Sequence, residues 1–299
     1  VIDPRRLRVL RALADHGTVT AAAHALYLTP SAVSQQLAAL EAEAGHALLT
    51  RRGRRVRLTA AGVILAEHAT AVLAQVEQAE SALAAHAAGA AGTITVGSFA
   101  TAIAGVLAPV IAELAETHPE IDVRVRDAEG DASLSLLLDG DIDLAVAVEY
   151  RGAPPADDPR LCRIPLYAEP FDAVLPANHW LAKHTEVALH DLAADDWISP
   201  SPGNPCHDVV SLACEYAGFT ARVRHASDDF RAVVALAAAG AGVALVPRSA
   251  LVGVEGAVVR PVAGTPPTRR VFAAHRRGAE THPLLTITLD TIRRVTATR

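Results

Sequence analysis

Thr29-Pro30-Ser31-Ala32-Val33-Ser34-Gln35-Gln36-Leu37-Ala38-Ala39-Leu40-Glu41 is the stretch on which the fold turns. Thr29 is a helix cap, and Pro30 suits the first helical position, where a missing N–H costs nothing. At about 100° per residue, Val33, Leu37, Leu40 and Ala44 fall in one narrow arc. Ser31, Ser34, Gln35 and Ala38 lie opposite. An outer face this small and polar suits a helix pressed into a DNA major groove, where Ser and Gln bond base edges or phosphates. An ordinary solvated helix carries Lys and Glu there instead. Upstream, Pro4 to His16 reads as a helix with Leu7, Leu10 and Leu13 on one side, stopped at Gly17. Thr18 then caps a short helix from Val19 to Leu26, and Tyr27-Leu28-Thr29 makes a tight turn.

Downstream, Leu48-Leu49-Thr50-Arg51-Arg52-Gly53-Arg54-Arg55-Val56-Arg57-Leu58-Thr59 reads as a small two-stranded wing turning at Gly53. Five Arg in seven positions suit phosphate or minor-groove contact, which is strongly salt-dependent. The net charge of −6 hides this asymmetry. Residues 1–59 carry nine Arg against four acidic residues, whereas residues 60–299 carry 18 basic against 29 acidic ones. A basic head on an acidic body indicates a polyanion-binding module fused to a part with another task.

Thr18-Val19-Thr20-Ala21-Ala22-Ala23-His24-Ala25-Leu26, Ser31-Ala32-Val33-Ser34-Gln35-Gln36-Leu37, Leu40-Glu41, Gly45 and Leu48-Leu49-Thr50-Arg51 together resemble the winged helix-turn-helix signature of LysR-type transcriptional regulators. The likeness is continuous over the first sixty residues, and the length and downstream layout match as well. Pro30 departs from the family pattern, standing where many members carry a Gln that bonds DNA. Base recognition is therefore expected from Thr29, Ser31, Ser34 and Gln35, with Arg51, Arg52, Arg54 and Arg55 on phosphates.

From Ala60 to about Ala88 the chain is Ala-rich and nearly free of breakers. Leu65, Ala69, Val72, Val76, Ala79 and Leu83 form a heptad seam on a helix of about 40 Å. Pairing with a second copy would cover that stripe; packing along the body is the alternative. The family resemblance implies a homodimer or homotetramer, and two heads would read two half-sites. Ala87 to Gly92 reads as a hinge.

The body alternates strands and helices: Thr93–Val96, Ala102–Thr117, Ile121–Arg126, Ala132–Leu138 and Ile142–Val148. Strand-like Arg160–Tyr167 and Phe171–Leu175 lead to a second lobe, and Arg269–His275 returns. The fold class expected is α/β: an all-α winged helix-turn-helix with a long linker helix, then a two-lobed α/β effector-binding domain. The boundaries expected are 1–59 for the head, 60–88 for the linker and 92–299 for the body. Lobe I would take about 92–165 and 267–299, and lobe II about 166–266.

Ser98-Phe99-Ala100-Thr101 sits between a strand and a helix, where free N–H groups receive an anion. Ser201-Pro202-Gly203-Asn204 offers matching donors in the other lobe, and Val148–Tyr150 would line the junction. The resemblance implies effector contacts at Ser98, Thr101, Asn204 and the loop near Phe230. The expected ligand is a small carboxylate or other polar metabolite. The resemblance also invites comparison of Cys206 and Cys214 with the paired cysteines of peroxide-sensing members, so a thiol-based redox sensor is the alternative. Cys214 is expected within a helix and Cys206 just before it, with no basic neighbour apart from His207.

Other classes are disfavoured. Three cysteines cannot staple a secreted scaffold, and 51% hydrophobic against 20% charged residues argues against disorder. The uncharged stretches 87–112 and 232–246 are broken by Gly and Pro or too short, so no membrane span is expected. Val1-Ile2-Asp3-Pro4-Arg5-Arg6 has no apolar core behind its charges, so no signal peptide is anticipated and a cytoplasmic location is. No HxxxH or CxxC pair marks a metal site, Gly240-Ala241-Gly242 lacks a third glycine, and no GxSxG elbow appears. A metabolic enzyme is the least favoured class; no cofactor is expected, and RNA polymerase is the expected protein partner.

Overall fold

The computed structural model describes residues 1–52, 55–86 and 90–297, with the side chains of Arg51, Arg52, Arg55 and Asp131 outside the description. Three helices open the chain: α1 (Pro4–His16), α2 (Val19–Ala25) and α3 (Pro30–Ala44). Asp3 caps α1 by accepting the Arg5 N–H, and Gly17 ends it at φ 71°. Thr18 and Thr29 cap α2 and α3 by accepting the N–H of Ala21 and Ala32. Leu7, Leu10, Leu13, Val33, Leu37 and Leu40 meet in one core. The wing strands β1 (Leu49–Arg52) and β2 (Arg55–Leu58) are antiparallel, Leu49 opposite Leu58. Glu41 ties the wing to α3 by accepting the N–H of Leu48 and Leu49 at 2.8 and 3.0 Å.

α4 (Ala60–His86) starts beneath the wing. At Gly62 the approach is so close that a Cβ would lie 2.2 Å from the Leu48 carbonyl oxygen. The predicted heptad seam divides. Ala69 is buried in the head's core with Leu65 packed against it, whereas Val72 and Leu83 are exposed, Leu83 at 71%. The opposite side of α4 packs on the body, where Ser81 is buried. Packing along the body therefore takes one face of the helix, and the Val72–Leu83 side of the seam stays uncovered within this chain.

In the body, β3 (Gly92–Ser98) lies between β4 (Ile121–Asp127) and β5 (Leu144–Val148), parallel to both. The expected single helix from Ala102 to Thr117 is three pieces: α5 (Ala100–Ala102), a π-helical turn (Ile103–Leu107) and α6 (Ala108–Thr117). Pro109 has no N–H for the carbonyl four residues back, so the turn widens and the Ala108 N–H reaches Ile103. Residues 100–117 are long and apolar enough to cross a bilayer; here Val106, Leu107, Val110 and Leu114 pack with Ile94, Val96 and Leu144 of the sheet. α7 (Asp131–Asp139) covers the other face through Leu134 and Leu137, against Ile142 and Phe272.

β6 (Leu161–Pro176) corrects the sequence reading, which divides it into two strands. Its first part pairs with the return strand β11 (Thr268–Arg276) and its second with β9 (Ala244–Pro247) and β10 (Ala257–Pro261). Pro165 sits beside the register shift opposite Val271 and Phe272, a place where a residue without an N–H is tolerated. The sequence pattern does not reveal β10, whose short run follows Gly253 and Gly256 and ends in Pro261. The second lobe is completed by β7 (Asp196–Ser199), α8 (Pro205–Tyr216), β8 (Arg222–Ala226) and α9 (Phe230–Ala238), around a core of Phe171, Trp197, Val210 and Phe230. α10 (Pro283–Thr296) returns to the first lobe. The sequence pattern predicts this helix over Asp208–Ala217; α8 starts three residues earlier, because Asn204 caps it and Pro205 takes the first position. Cys206 therefore lies inside the helix rather than before it.

Candidate functional site

The outer face of α3 is open. Thr29, Ser31, Ser34 and Gln35 are all exposed, opposite buried Val33, Leu37 and Leu40. Thr29 Oγ1 accepts the Ala32 N–H at 3.2 Å and meets the Ser31 hydroxyl at 3.0 Å. Ser34 donates back to the Pro30 carbonyl at 2.9 Å. Gln36 is held by Arg6 Nε at 3.1 Å, while Gln35 beside it projects from the exposed face. Arg54 and the side chains of Arg51, Arg52 and Arg55 lie outside the described residues.

The head is docked on the body through polar contacts that avoid this face. Arg160 pairs with Asp15 at 2.6 Å and with Asp158 at 2.7 Å. Burial pushes Asp158 up, yet the hydrogen bonds and charge of Arg160 hold it below its ordinary value. His16 meets Asp139 at 3.0 Å, and Tyr27, in the helix-turn-helix turn at φ 53°, donates to Asp141 at 3.1 Å. Glu77 of α4 pairs with Arg276 at 3.1 Å. Between head, linker and body is a cavity of about 430 Å³ lined by Arg8, Arg11, Glu80, Asp143 and His282 among others. A change in the body thus has a direct polar route to the head.

A second site lies between the lobes. Phe99, Val148 and Asn204 come together there with Ala128, Glu129, Cys206 and Arg269. The cleft measures about 10 Å³, the room of roughly one water. The Asn204 amide donates across it to the Glu129 carboxylate. Burial raises the Glu129 pKa and nearby Asp228 adds to this. Its contribution to the closed cleft is thus fullest at low pH and lost as pH rises through the elevated value.

Three expected contacts lie elsewhere. Ser98 is fully buried and its hydroxyl donates to the Val146 carbonyl at 3.1 Å. Ala100 is exposed at the start of α5. Phe230 packs edge-on to Phe171, ring centroids 6.4 Å apart, in the second core. Thr101 reaches the cleft only through Arg269, whose Nη2 donates to it at 2.7 Å.

Arg269 is the centre that sequence reasoning missed. It is 2% exposed, donates to Glu169 through Nε at 2.8 Å, reaches Ser249 at 3.3 Å and lies over the Phe99 ring at 4.8 Å. Burial lowers its pKa, but Cys206 and Glu169 more than offset this and raise it overall. The one available signal was alternation at the start of β11, where Arg269 and Val271 are buried and Thr268 and Arg270 are exposed.

Arg269 Nη1 also lies 3.7 Å from Cys206 Sγ, so the expectation that only His207 could supply a basic neighbour is corrected. Burial nevertheless raises the Cys206 thiol, and it pushes Cys214 up to about 12, helped by Glu215. Eight residues apart on one helix, the two cysteines are separated by about 12 Å along the axis, beyond disulfide reach without unwinding.

Comparison with known proteins gives two family matches. The family described as "Bacterial regulatory helix-turn-helix protein, lysR family" matches residues 4–63, and "LysR substrate binding domain" matches residues 87–297. A Mycobacterium avium protein named "Probable hydrogen peroxide-inducible genes activator" is 33% identical, over 82% of this chain and 78% of its own. The Bacillus subtilis "Transcriptional dual regulator GltC" is 30% identical, over 83% of this chain and 81% of its own. Among solved structures, a mutant of Corynebacterium glutamicum OxyR superposes with a TM-score of 0.62 at 25% identity, covering 100% of this chain and 92% of that one.

Proposed function

The chain belongs to the LysR family of effector-controlled, DNA-binding transcriptional regulators, and on that premise we propose how its parts share the work. The head of residues 1–59 reads DNA, with Thr29, Ser31, Ser34 and Gln35 toward base edges and Arg51, Arg52, Arg54 and Arg55 toward phosphates. The linker of residues 60–88 joins two copies through its exposed seam, and two such dimers can form a tetramer. The body of residues 92–299 takes a small carboxylate or other polar metabolite between its lobes. An entering carboxylate finds the Asn204 amide and the Arg269 guanidinium as donors, and it displaces Glu129 from Asn204. Opening the lobes would then shift the polar docking of the head and the spacing of two DNA readers. The protein would act in the cytoplasm and touch RNA polymerase at the promoter, without catalysing a reaction.

The observation that carries this reading is the exposed small polar face of α3, set opposite a fully apolar buried one. A footprint on the DNA upstream of the protein's own gene tests it. Salt-dependent protection of two half-sites is expected; absence of protection together with turnover of a metabolite would transfer the chain to the enzyme class.

A second reading, a thiol-based peroxide sensor, is favoured by the Arg269 contact to Cys206. The raised thiols and their helical separation weigh against it. Under mild peroxide, mass spectrometry is expected to find no bridge between Cys206 and Cys214. A bridge forming ahead of general thiol oxidation would replace the metabolite reading with the redox one.

A further inference from the structure

Cys162 and His275 are directly paired across β6 and β11. The turn after β11 brings Glu280 to them, and one donor atom from each of the three lies within 4.8 Å of the others. Sequence spacing predicts no metal site; the sheet register assembles one from residues far apart in the chain.

The geometry points to a divalent-cation site of the zinc class formed by Cys162, His275 and Glu280, seated under the turn that carries the linker helix. His275 is 3% exposed, and its Nδ1–H donates to the Arg276 carbonyl at 2.9 Å. That bond fixes the tautomer and leaves Nε2 with the lone pair, the outer-shell arrangement that orients metal-binding imidazoles. The Cys162 thiol already donates to Glu280 Oε1 at 3.0 Å, and the other Glu280 oxygen accepts the Gly278 N–H at 2.7 Å. A cation takes the place of the thiol proton: the S–H bond breaks, a sulfur–metal bond forms, the proton leaves to solvent and no electron is transferred.

Thiolate, carboxylate and neutral imidazole together carry two negative charges, matching one divalent ion. Mixed sulfur, nitrogen and oxygen donors favour zinc over magnesium or calcium. Three protein ligands, with Glu280 exposed, leave a fourth position for water. The adjacent guanidinium groups are engaged elsewhere. Arg277 donates to the Pro159 and Leu161 carbonyls, and Arg276 to the Leu137 and Ile142 carbonyls.

The site bears on α4. Gly278, between His275 and Glu280, packs so tightly that a Cβ would lie 2.2 Å from the Ala74 carbonyl oxygen. Arg276, next to His275, holds Glu77 of the same helix. A cation clamping residues 275 and 280 stiffens the seat of the linker, independently of the interlobe cleft.

Titration of the reduced full-length protein with cobalt(II) chloride alone tests the site. One equivalent per chain is expected to give an intense near-ultraviolet thiolate-to-cobalt absorption, bleached by one equivalent of zinc chloride. Cys162→Ser removes the band and Cys206→Ser retains it, with circular dichroism checking the fold of each. Glu280→Gln, at an exposed position, weakens apparent affinity by about tenfold or more. A missing band in the native protein, a band that survives Cys162→Ser, or an unchanged affinity in Glu280→Gln overturns the proposal.

Discussion

Arg269→Ala is expected to lower unfolding free energy by about 3–5 kcal/mol, read as a fall in urea midpoint by the fluorescence of buried Trp197. The guanidinium is 2% exposed and the Glu169 side chain 8%, so truncation leaves a carboxylate in the interior without its cation. Thr101 and Ser249 lose a donor in the same step, and the Phe99 ring loses the group lying over it. The loss comes from the stranded partner more than from the pair itself. Arg269→Met with Glu169→Gln removes both charges and recovers a large part of it. Arg270→Ala, at the neighbouring exposed position, is the control and changes stability by about 0.5 kcal/mol or less. Equal midpoints for the Arg269 and Arg270 variants would remove Arg269 from the centre of the cleft.

Val72→Asp combined with Leu83→Asp is expected to leave each chain folded and to abolish its pairing. Both residues are exposed apolar positions, and with Ala79 they lie within about 20° of one line along α4 at 100° per residue. Aspartates on that line place like charges at every crossing of two copies. Sedimentation should then show monomers. Affinity for a two-half-site duplex should fall by about 10²–10⁴, because the second head no longer binds at high effective concentration. Affinity for a single half-site should hardly change. A double variant that remains dimeric would place the interface on another surface.

What the sequence revealed and what it concealed follow one physical division. α3 was readable because cap, periodicity and outer face all lie within sixteen consecutive residues, Thr29 to Ala44. The parallel order of β3, β4 and β5 was readable for the same reason, since a helical stretch follows β3 and another follows β4 before the next strand begins. The cleft was legible in part. Phe99 and Asn204 sit at helix starts that turn chemistry announces, but the Ser98 hydroxyl is consumed by a strand 48 residues away. Arg269 meets Glu169 across 100 residues, and His275 meets Cys162 through cross-strand register. Such pairs leave no spacing to read. The start of α8 was misplaced at Asp208, because the cap at Asn204 and the proline at the first helical position were not read together.

The open face of α3 is expected to read bases while the wing arginines hold phosphates. Selection from a randomised duplex library, with native protein, Gln35→Ala and Arg54→Ala compared, tests it most directly. Gln35→Ala should relax the preference at one base step in each half-site, a loss of about 1–3 kcal/mol of discrimination, while the rest of the motif persists. Arg54→Ala should weaken all sequences alike and reduce the salt dependence by about one ion. An unchanged motif with Gln35→Ala, or a position-specific change with Arg54→Ala, would contradict the account.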